Sequence, residues 1–352
     1  MNTGFDLCVV IPTYNEENHL PRLLAQLWRQ RDISLQIVIV DGGSRDASDQ
    51  ISEREFLQHS DRLIWCCTKA HRAKQLNLGA TLATAEYLLF LHADTQLDEQ
   101  VDLLRKALEQ LRSHNQLQDC AGHFPLLFNE TNGQHVFGFY YYAAKTALNR
   151  IDVINGDQGF MLTRKLFDEF QGFDESLPYM EDARLANRIL RNKRWITLPG
   201  WVHTSARRFL SEGFEKRQLL NSFLCNFNAI GMDAFFAQAA DAYKRQSDSR
   251  QLDMLPFLRI IHRVMRAEGW IKAVTYWYGT GRYITQNTWQ LAFTKDCQRD
   301  FKKQIAPHQV QTLYLNRFER FIAPWLLSPP FYILCAALTF IWFYSLFIVY
   351  KQ

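Results

Sequence analysis

The first hundred residues alternate short apolar runs with stretches whose apolar residues recur every three or four positions. The apolar runs are LCVVIP (7–12), LQIVIVD (35–41), LIWCC (63–67) and YLLFL (87–91). Between the first two, the leucines at 20, 23, 24 and 27 mark one face of a helix. Apolar strands separated by helices are typical of a parallel sheet that is covered on both sides. The pattern therefore predicts an α/β fold with a mostly parallel central sheet.

The alternation continues to about residue 232 and then stops. It predicts helices over 99–112, 137–147 and 183–191, strands over 121–128 and 156–163, and an extended segment over 195–206. After Met232 the pattern is helical. We therefore predict an α/β domain over 1–232, a helical region over 233–320 and a C-terminal segment over 321–352.

Polar residues follow each of the first four predicted strands. In open parallel sheets, ligands bind beyond the carboxyl ends of the strands. The residues that the chain places there are Pro12, Thr13, Asn15, Glu16, Asp41, His71, Arg72, Lys74, Gln75, His92 and Asp94. Acids suit ribose hydroxyls and a metal ion, and cations suit phosphates, so this edge predicts a nucleotide site.

Neither of two common glycine-rich motifs that bind phosphate follows the first strand. Neither the dinucleotide fingerprint G-x-G-x-x-G nor the P-loop G-x-x-x-x-G-K-[ST] occurs there. This argues against NAD-dependent enzymes and against NTPases of the P-loop type. The nucleotide would have to be held by side chains and by a cation.

Charge and composition change along the chain. The net charge of +4 is too small to indicate nucleic acid as a partner, but 241–320 holds 14 lysines and arginines against 7 aspartates and glutamates. Within it, 259–283 interleaves basic residues with Trp and Tyr. Such a region is typical of helices that lie on an anionic membrane. Core helices of a second lobe are the alternative.

Residues 331–350 (FYILCAALTFIWFYSLFIVY) contain no charged residue. A helix of about 20 apolar residues is long enough to cross the roughly 30 Å hydrocarbon layer of a bilayer. The segment therefore predicts a transmembrane helix, with a buried core helix as the alternative. Arg317 and Arg320 precede it, and this basic flank predicts a cytoplasmic main domain. Seven scattered cysteines without metal-type spacing agree with a reducing compartment.

Seven motifs, taken in order, resemble one enzyme family. They are VVIPTYNEE, IVIVDGGSRD, HRAKQLNLGA, LLFLHADT, GDQGFMLTRKLFDEFQGF, EDARLANRI and HTSARR. In this order and spacing, over residues 7–232, they resemble the family 2 glycosyltransferases with the GT-A fold, and most of all the subgroup associated with radical-SAM/selenodomain proteins. The resemblance implies a hexosyltransferase-type enzyme. It would move a sugar from a UDP- or GDP-sugar to an acceptor hydroxyl, with inversion and with a divalent cation, Mn²⁺ or Mg²⁺.

The resemblance places the nucleotide at the ends of the first three strands. The residues concerned are Pro12, Thr13, Glu16, Asp41, Arg72, Lys74 and Gln75. Asp41 would contact the base or the ribose, and Glu16 would close the base pocket from the other side. Arg72 and Lys74 begin a helix, where backbone N–H groups already favour anions, so they would hold the diphosphate. A turn-forming Asp41 and a solvated helix face are the alternatives.

Asp94 is the cation ligand that the resemblance implies. GT-A enzymes typically hold a divalent cation with a D-x-D motif after the fourth strand, and the cation neutralises the departing diphosphate. His92 occupies the first Asp position here, which departs from the family-wide pattern and suits Mn²⁺ better than Mg²⁺. His203 is the third candidate ligand. The alternatives are a ribose, phosphate or core contact for His92 and a plain loop histidine at 203.

The resemblance makes Asp182 the general base and Glu181 its supporting neighbour. One carboxylate suffices for inversion, because it accepts the proton late, as the attacking oxygen becomes positively charged. Two acids that only complement a helix dipole are the alternative. The predicted sugar or acceptor contacts are Gly156, Asp157, Gln158, Arg207 and Arg208.

Two other functions stay open at this point. Nucleotidyl transfer to a sugar phosphate also uses an open α/β sheet, but it would want a glycine-rich loop with Arg and Lys where this chain has NEENHLPR. The other is a membrane-anchored sensor that binds a nucleotide sugar without catalysis. The apolar C-terminal segment suggests a lipid or lipid-linked acceptor for the enzyme.

Overall fold

The computed structural model describes residues 4–129, 131–246 and 251–350. These residues form two compact units. The first unit comprises residues 4–129 and 142–206, and the second comprises 131–141, 207–246 and 251–350.

The first unit contains the strands. They are β1 (Leu7–Thr13), β2 (Leu35–Asp41), β3 (Leu63–Cys67), β4 (Tyr87–Phe90), β5 (Gln96–Leu97), β6 (Cys120–His123), β7 (Leu126–Asn129), β8 (Phe160–Thr163), β9 (Arg194–Thr197) and β10 (Val202–Ser205). The main sheet has seven strands in the order β3-β2-β1-β4-β8-β6-β9, and a smaller sheet has the order β5-β10-β7. Strands β1 to β4 are parallel, whereas β8 runs antiparallel to its neighbours β4 and β6. The predicted α/β fold with a mostly parallel sheet is confirmed.

Helices cover both faces of the main sheet. They are α1 (Leu20–Trp28), α2 (Ser48–Gln58), α3 (Arg72–Leu82), α4 (Leu103–Asn115), α6 (Arg164–Glu169) and α7 (Glu181–Asn192), while α5 (Val136–Thr146) begins in the second unit and ends in the first. Along β1, Leu7, Val9 and Ile11 pack into one core cluster, and Cys8 and Val10 pack into the other. This explains why β1 is apolar at consecutive positions: both of its faces are buried.

Two segments predicted as single strands are broken. The segment 121–128 divides at Pro125 into β6 and β7, which join different sheets, because proline lacks the N–H that a continuous strand would need. The segment 156–163 begins with a 3₁₀ turn (Gly156–Gln158) that Asn155 caps, and β8 starts only after Gly159. Gly159 has a φ of 67°, which favours glycine and turns the chain into the strand.

The second unit is helical. Its further helices are α8 (Arg207–Glu212), α9 (Phe214–Ile230), α10 (Asp233–Lys244), α11 (Leu255–Ala267), α12 (Trp270–Gln286), α13 (Trp289–Lys302), α14 (Leu313–Phe321), α15 (Ala323–Leu326) and α16 (Pro329–Val349), with a 3₁₀ turn at Pro307–Gln309. The boundary predicted at residue 232 falls inside this unit, because α9 packs against α8, α10 and α12. In the described part of the chain, α16 alone is long and apolar enough to cross a bilayer, and little of it is buried.

Gly79 allows α3 to pack directly on the sheet, since a Cβ atom there would overlap Val10 Cγ1. We expect Gly79→Ala to lower the free energy of unfolding by about 1–3 kcal/mol, the usual cost of overpacking, even though alanine favours helix. Urea titration followed by circular dichroism measures this loss. Thr81→Ala, on the exposed side of the same helix, is the control and should change stability by less than about 0.5 kcal/mol. Equal losses in both variants would contradict close packing as the cause.

Candidate functional site

Gln75 joins the loops at the edge of the sheet. Thr13 and Asp41 lie opposite each other at the ends of β1 and β2. Gln75 is 3% exposed, and its Nε2 donates to the carbonyl oxygens of Thr13 and Val40 at 2.9 and 2.8 Å. Its Oε1 accepts the N–H of His71 at 3.3 Å. The structure therefore gives Gln75 a positioning role, and its contact with a nucleotide stays a prediction.

The carboxylate of Asp41 is bound by its own loop. Its Oδ2 accepts the N–H groups of Gly43 and Ser44 at 2.7 and 2.8 Å, and its Oδ1 accepts the hydroxyl of Ser44 at 2.6 Å. These bonds match the turn-forming alternative. A contact with the base or ribose would have to share oxygens that the loop already uses, and it stays a prediction.

The end of β1 and the loop that follows it carry Pro12, Thr13 and Glu16. Thr13 is fully buried, and its Oγ1 finds no hydrogen-bond partner among the described residues. The N–H of Glu16 donates to Ser48 Oγ at 2.7 Å, which ties this loop to the start of α2. An unpaired buried hydroxyl is costly, so this loop has hydrogen-bonding capacity that the described chain does not use.

His92 lies two residues beyond β4 and contacts Asp157. Its Nδ1 is 2.9 Å from Asp157 Oδ1. The imidazole is largely buried, whereas the side chain of Asp157 is 49% exposed. Burial lowers the pKa of His92, but the hydrogen bond to Asp157 and the negative charges of Asp157 and Asp94 outweigh it. The pKa of His92 therefore lies above the ordinary value of histidine.

Asp182, at the start of α7, is held by two backbone groups. Its Oδ2 accepts the N–H of Gly156 at 2.7 Å, and its Oδ1 accepts the N–H of Ala183 at 2.7 Å. A Cβ atom at Gly156 would lie 2.9 Å from both Asp182 Oδ2 and His92 Nε2. Gly156 therefore fits between the carboxylate and the imidazole, and no other residue would fit there without displacing one of them.

Arg72, the first residue of α3, forms an ion pair with Glu181, the first residue of α7. The guanidinium Nε donates to Glu181 Oε1. Glu181 is 1% exposed, and its Oε2 has no hydrogen-bond partner in the described part of the chain. Partial burial lowers the pKa of Arg72, but the carboxylates of Glu181 and Asp182 raise it well above its usual range. Arg72 therefore stays charged beside the acids of this site.

These contacts join four segments that are distant in sequence: the start of α3, the loop after β4, the 3₁₀ turn and the start of α7. Site residues in all four segments were predicted from the sequence, but the sequence does not indicate which of them pair. Arg72 and Glu181, for example, are 109 positions apart. Asn155 was missed, although it is a capping residue of the turn that presents Gly156 and Asp157.

Gln158 does not line this site, contrary to the prediction. It is fully buried, and its Nε2 donates to the carbonyl oxygen of Thr146 and to His123 Nδ1, both at 2.8 Å. Its Oε1 accepts the N–H of Asn155 at 3.0 Å. All of these partners lie within the protein, so Gln158 fixes the turn and is not accessible to a sugar.

The remaining predicted residues lie in different places. Lys74 is exposed on α3. Arg207 and Arg208 are exposed at the start of α8, in the second unit. His203 lies in β10, opposite Gln96 of β5.

The three predicted cation ligands do not form one cluster. The described residues contain no group of three or more His, Cys, Asp or Glu side chains that could hold a metal ion. The Nδ1 of His203 is 2.9 Å from Asn129 Oδ1, and burial lowers the pKa of His203. His92 is engaged by Asp157. These side chains therefore do not form a cation site without further ligands.

The first unit has a GT-A-like α/β fold. His92, with its partner Asp157, lies beyond the carboxyl end of β4. Residues 8–170 match the model of the family described as glycosyl transferase family 2. The match covers slightly less than half of the chain, and over these residues the chain is similar to the family 2 glycosyltransferases. It does not extend to the radical-SAM/selenodomain subgroup, which stays a prediction.

Two curated relatives are similar to this chain in sequence, and one solved structure is similar to it in fold. A PGL/p-HBAD biosynthesis glycosyltransferase of Mycobacterium bovis is 36% identical over 105 residues, which are 28% of this chain and 39% of the relative. Glycosyltransferase GlyA of Streptococcus pneumoniae is 28% identical over 141 residues, 39% of this chain and 19% of GlyA. The chain thus spans well under half the length of these relatives. The structure of S. aureus TarS 1–349 in complex with UDP aligns with a TM-score of 0.51 at 16% identity, over 90% of this chain and 91% of that one.

The pairing of His92 with Asp157 predicts a pH effect. In metal-free protein we expect Asp157→Asn to lower the pKa of His92, because burial remains while the carboxylate that raises the pKa is gone. The pair stabilises the fold at pH values below the ordinary histidine pKa, and this contribution is lost as the pH rises through the raised pKa of His92. NMR titration of the imidazole measures the pKa, and urea unfolding at several pH values measures the contribution to stability. His123, bonded to Asn149 and Gln158, is the internal control and should not shift; an unchanged His92 would contradict the pairing.

Proposed function

We propose that this protein transfers a sugar from a nucleotide sugar to an acceptor hydroxyl, with inversion at the anomeric carbon. The observation that carries this proposal is the fixed carboxylate of Asp182. Each of its two oxygens accepts a backbone N–H. The carboxylate lies at the start of α7 and contacts Gly156, which also lies beside His92 of the loop after β4. A carboxylate that is held in this way is positioned to accept a proton from a hydroxyl group.

In the proposed reaction the acceptor oxygen attacks the anomeric carbon while the bond from that carbon to the diphosphate oxygen breaks. The electron pair of that bond leaves with the nucleoside diphosphate. Asp182 receives the proton of the acceptor hydroxyl as the new glycosidic bond forms. Because the backbone orients the carboxylate before the reaction, little reorganisation is needed in the transition state.

Positive charge beside the acids would stabilise the leaving diphosphate. Arg72 is held at this site by Glu181, and the raised pKa of His92 favours its protonated form. We assign both side chains to contacts with the diphosphate, together with the exposed Lys74 of α3. Asp157, half exposed and bonded to His92, would contact the sugar hydroxyls.

The nature of the donor and acceptor is also a proposal. S. aureus TarS, which shares the fold, was solved in complex with UDP, and this supports a nucleotide as the carrier of the sugar. We propose a UDP- or GDP-sugar as donor. The exposed apolar α16 supports a lipid or lipid-linked acceptor, for which Arg207 and Arg208 are the proposed phosphate contacts.

Cation dependence is proposed through Asp94. A Mn²⁺ or Mg²⁺ ion supplies charge that neutralises a diphosphate. Since the chain provides no cluster of ligands in the part that the structure describes, such an ion would depend on Asp94 together with oxygens of the bound nucleotide.

Asp182→Asn tests the proposed reaction. We expect turnover of the correct nucleotide sugar to fall by about 10²–10⁴-fold, because the amide cannot take up the proton, while nucleotide binding stays intact. Transfer assays measure turnover, and thermal unfolding measures binding. A nucleotide at about 100 times its Kd should add about 2.7 kcal/mol of stability. Asp233→Asn, at an exposed acid in the first turn of α10, is the matched control.

A protein that only senses nucleotide sugars would bind its ligand equally well in both variants and would show no turnover in either or in the parent. Absence of stabilisation by every UDP- and GDP-sugar, with and without Mn²⁺, would count against a nucleotide site altogether.

Alanine variants of two of the three predicted cation ligands test the cation proposal. We expect Asp94→Ala to abolish the extra stabilisation that Mn²⁺ gives to nucleotide-bound protein. His203→Ala should preserve it, because His203 is bonded to Asn129 and does not cluster with Asp94. Calorimetric titration of Mn²⁺ into the nucleotide complex measures both. Loss of Mn²⁺ binding in His203→Ala would instead restore the three-ligand site that the sequence predicted.

A further inference from the structure

Helix α16 is packed along one face from its first turn to its last. Near its start, Gly281 of α12 lies so close that a Cβ atom there would overlap Tyr332 O. Further along, the ring of Trp277 lies 5.6 Å from that of Phe343, centroid to centroid. Near its end, His262 Nδ1 of α11 is 3.1 Å from the hydroxyl of Tyr344. Helix α12 therefore accompanies α16 over most of its length, and α11 contacts α16 near its end.

The helices beside α16 carry exposed charges. On α11, Arg259, Arg263 and Arg266 are exposed and lie three or four positions apart, so they form one basic stripe. None of the three is in an ion pair with another described residue. On α12, Lys272 and Arg282 are exposed near the two ends. If α16 crossed the hydrocarbon layer with α12 attached, Lys272 and Arg282 would be carried to that layer and the exposed arginines of α11 would be drawn toward it, which is unfavourable.

The other face of α16 is apolar and exposed, and the neighbouring helices α12 and α15 also expose apolar residues. On α12, Trp270 is 77% exposed, and Ile271 and Val274 are exposed with it. On α15, which directly precedes α16, Trp325 is 78% exposed. Exposed apolar residues on a helical unit, tryptophans among them, and an arginine stripe on one of its helices are features of proteins that lie in the membrane interface.

We propose that the second unit binds the surface of an anionic bilayer with α16 lying in the plane of the membrane, so that α16 does not cross it. The exposed faces of α12, α15 and α16 enter the headgroup region, and Arg259, Arg263 and Arg266 contact anionic lipid headgroups. The excess of basic residues over 241–320 complements such a surface. This proposal does not depend on sugar transfer and revises the transmembrane helix that the sequence alone predicts.

The location of three points of the full-length chain tests the orientation. Protease-cleavable tags are placed at the N-terminus and the C-terminus. Gln309→Cys places a thiol between α12 and α16 in a background in which the exposed or partly exposed cysteines, Cys66, Cys67, Cys225 and Cys335, are serine. In sealed membrane vesicles of either orientation, we expect both tags and the thiol to be accessible from the same side. Tags on opposite sides would show that α16 crosses the bilayer. Tags on one side and the thiol on the other would show that α12 and α16 both cross, and either result overturns the proposal.

Sedimentation with vesicles tests the arginine stripe. The combined variant Arg259→Ala, Arg263→Ala and Arg266→Ala should bind about 100-fold more weakly to vesicles that contain phosphatidylglycerol, since each basic residue near the surface contributes roughly fivefold. Binding to pure phosphatidylcholine should change little. The matched control replaces three exposed arginines of the first unit, Arg29, Arg31 and Arg54, by alanine. Equal losses in the stripe variant and the control, or no loss in either, would refute the assigned headgroup contact.

Discussion

The site depends on the close fit of Gly156 between a carboxylate and an imidazole. Because this residue has no side chain, Asp182 Oδ2 can accept its N–H at 2.7 Å while the ring of His92 approaches from beside it. The same turn presents Asp157 to the other nitrogen of that ring. One short turn thus fixes the distance between the proposed base and the proposed diphosphate side, and the buried amide of Gln158 holds the turn in place.

Opposite charges are paired within this small volume. Asp157 is set against the imidazole of His92, and Glu181 and Asp182 are set against the guanidinium of Arg72. Buried charges are stable only when they are paired and hydrogen-bonded. A ligand with a diphosphate group would add negative charge here and would compete with Glu181 for Arg72. The ion pair is therefore a natural point at which the free and the nucleotide-bound protein would differ.

The sequence predicted the strands of the first half well because each is apolar on both faces, a pattern that depends only on local residues. The prediction failed where contacts between residues distant in sequence determine the local structure. Pro125 and the cap at Asn155 broke two predicted strands, and the side chains of Gln75 and Gln158 bind the backbone of loops far away in sequence. The candidate residues were found from their motifs. Their pairing could not be found, because pairs such as Arg72 with Glu181 depend on how two helices meet the same sheet edge.

The apolar C-terminal helix α16 is a second case in which contacts with distant residues could not be predicted from the sequence, because the composition of a helix does not reveal what packs against it. Asp296, fully buried in α13, accepts the N–H groups of Tyr314 and Leu315 at 2.9 Å and so caps the start of α14 from outside. The chain that leads into α16 is thus bound to α13, and α16 itself is bound to α11 and α12. A helix that is fixed in this way behaves as part of a folded unit. Moving it alone into a bilayer would break its packed face, whereas binding the whole unit to a membrane surface preserves that face and uses the exposed one.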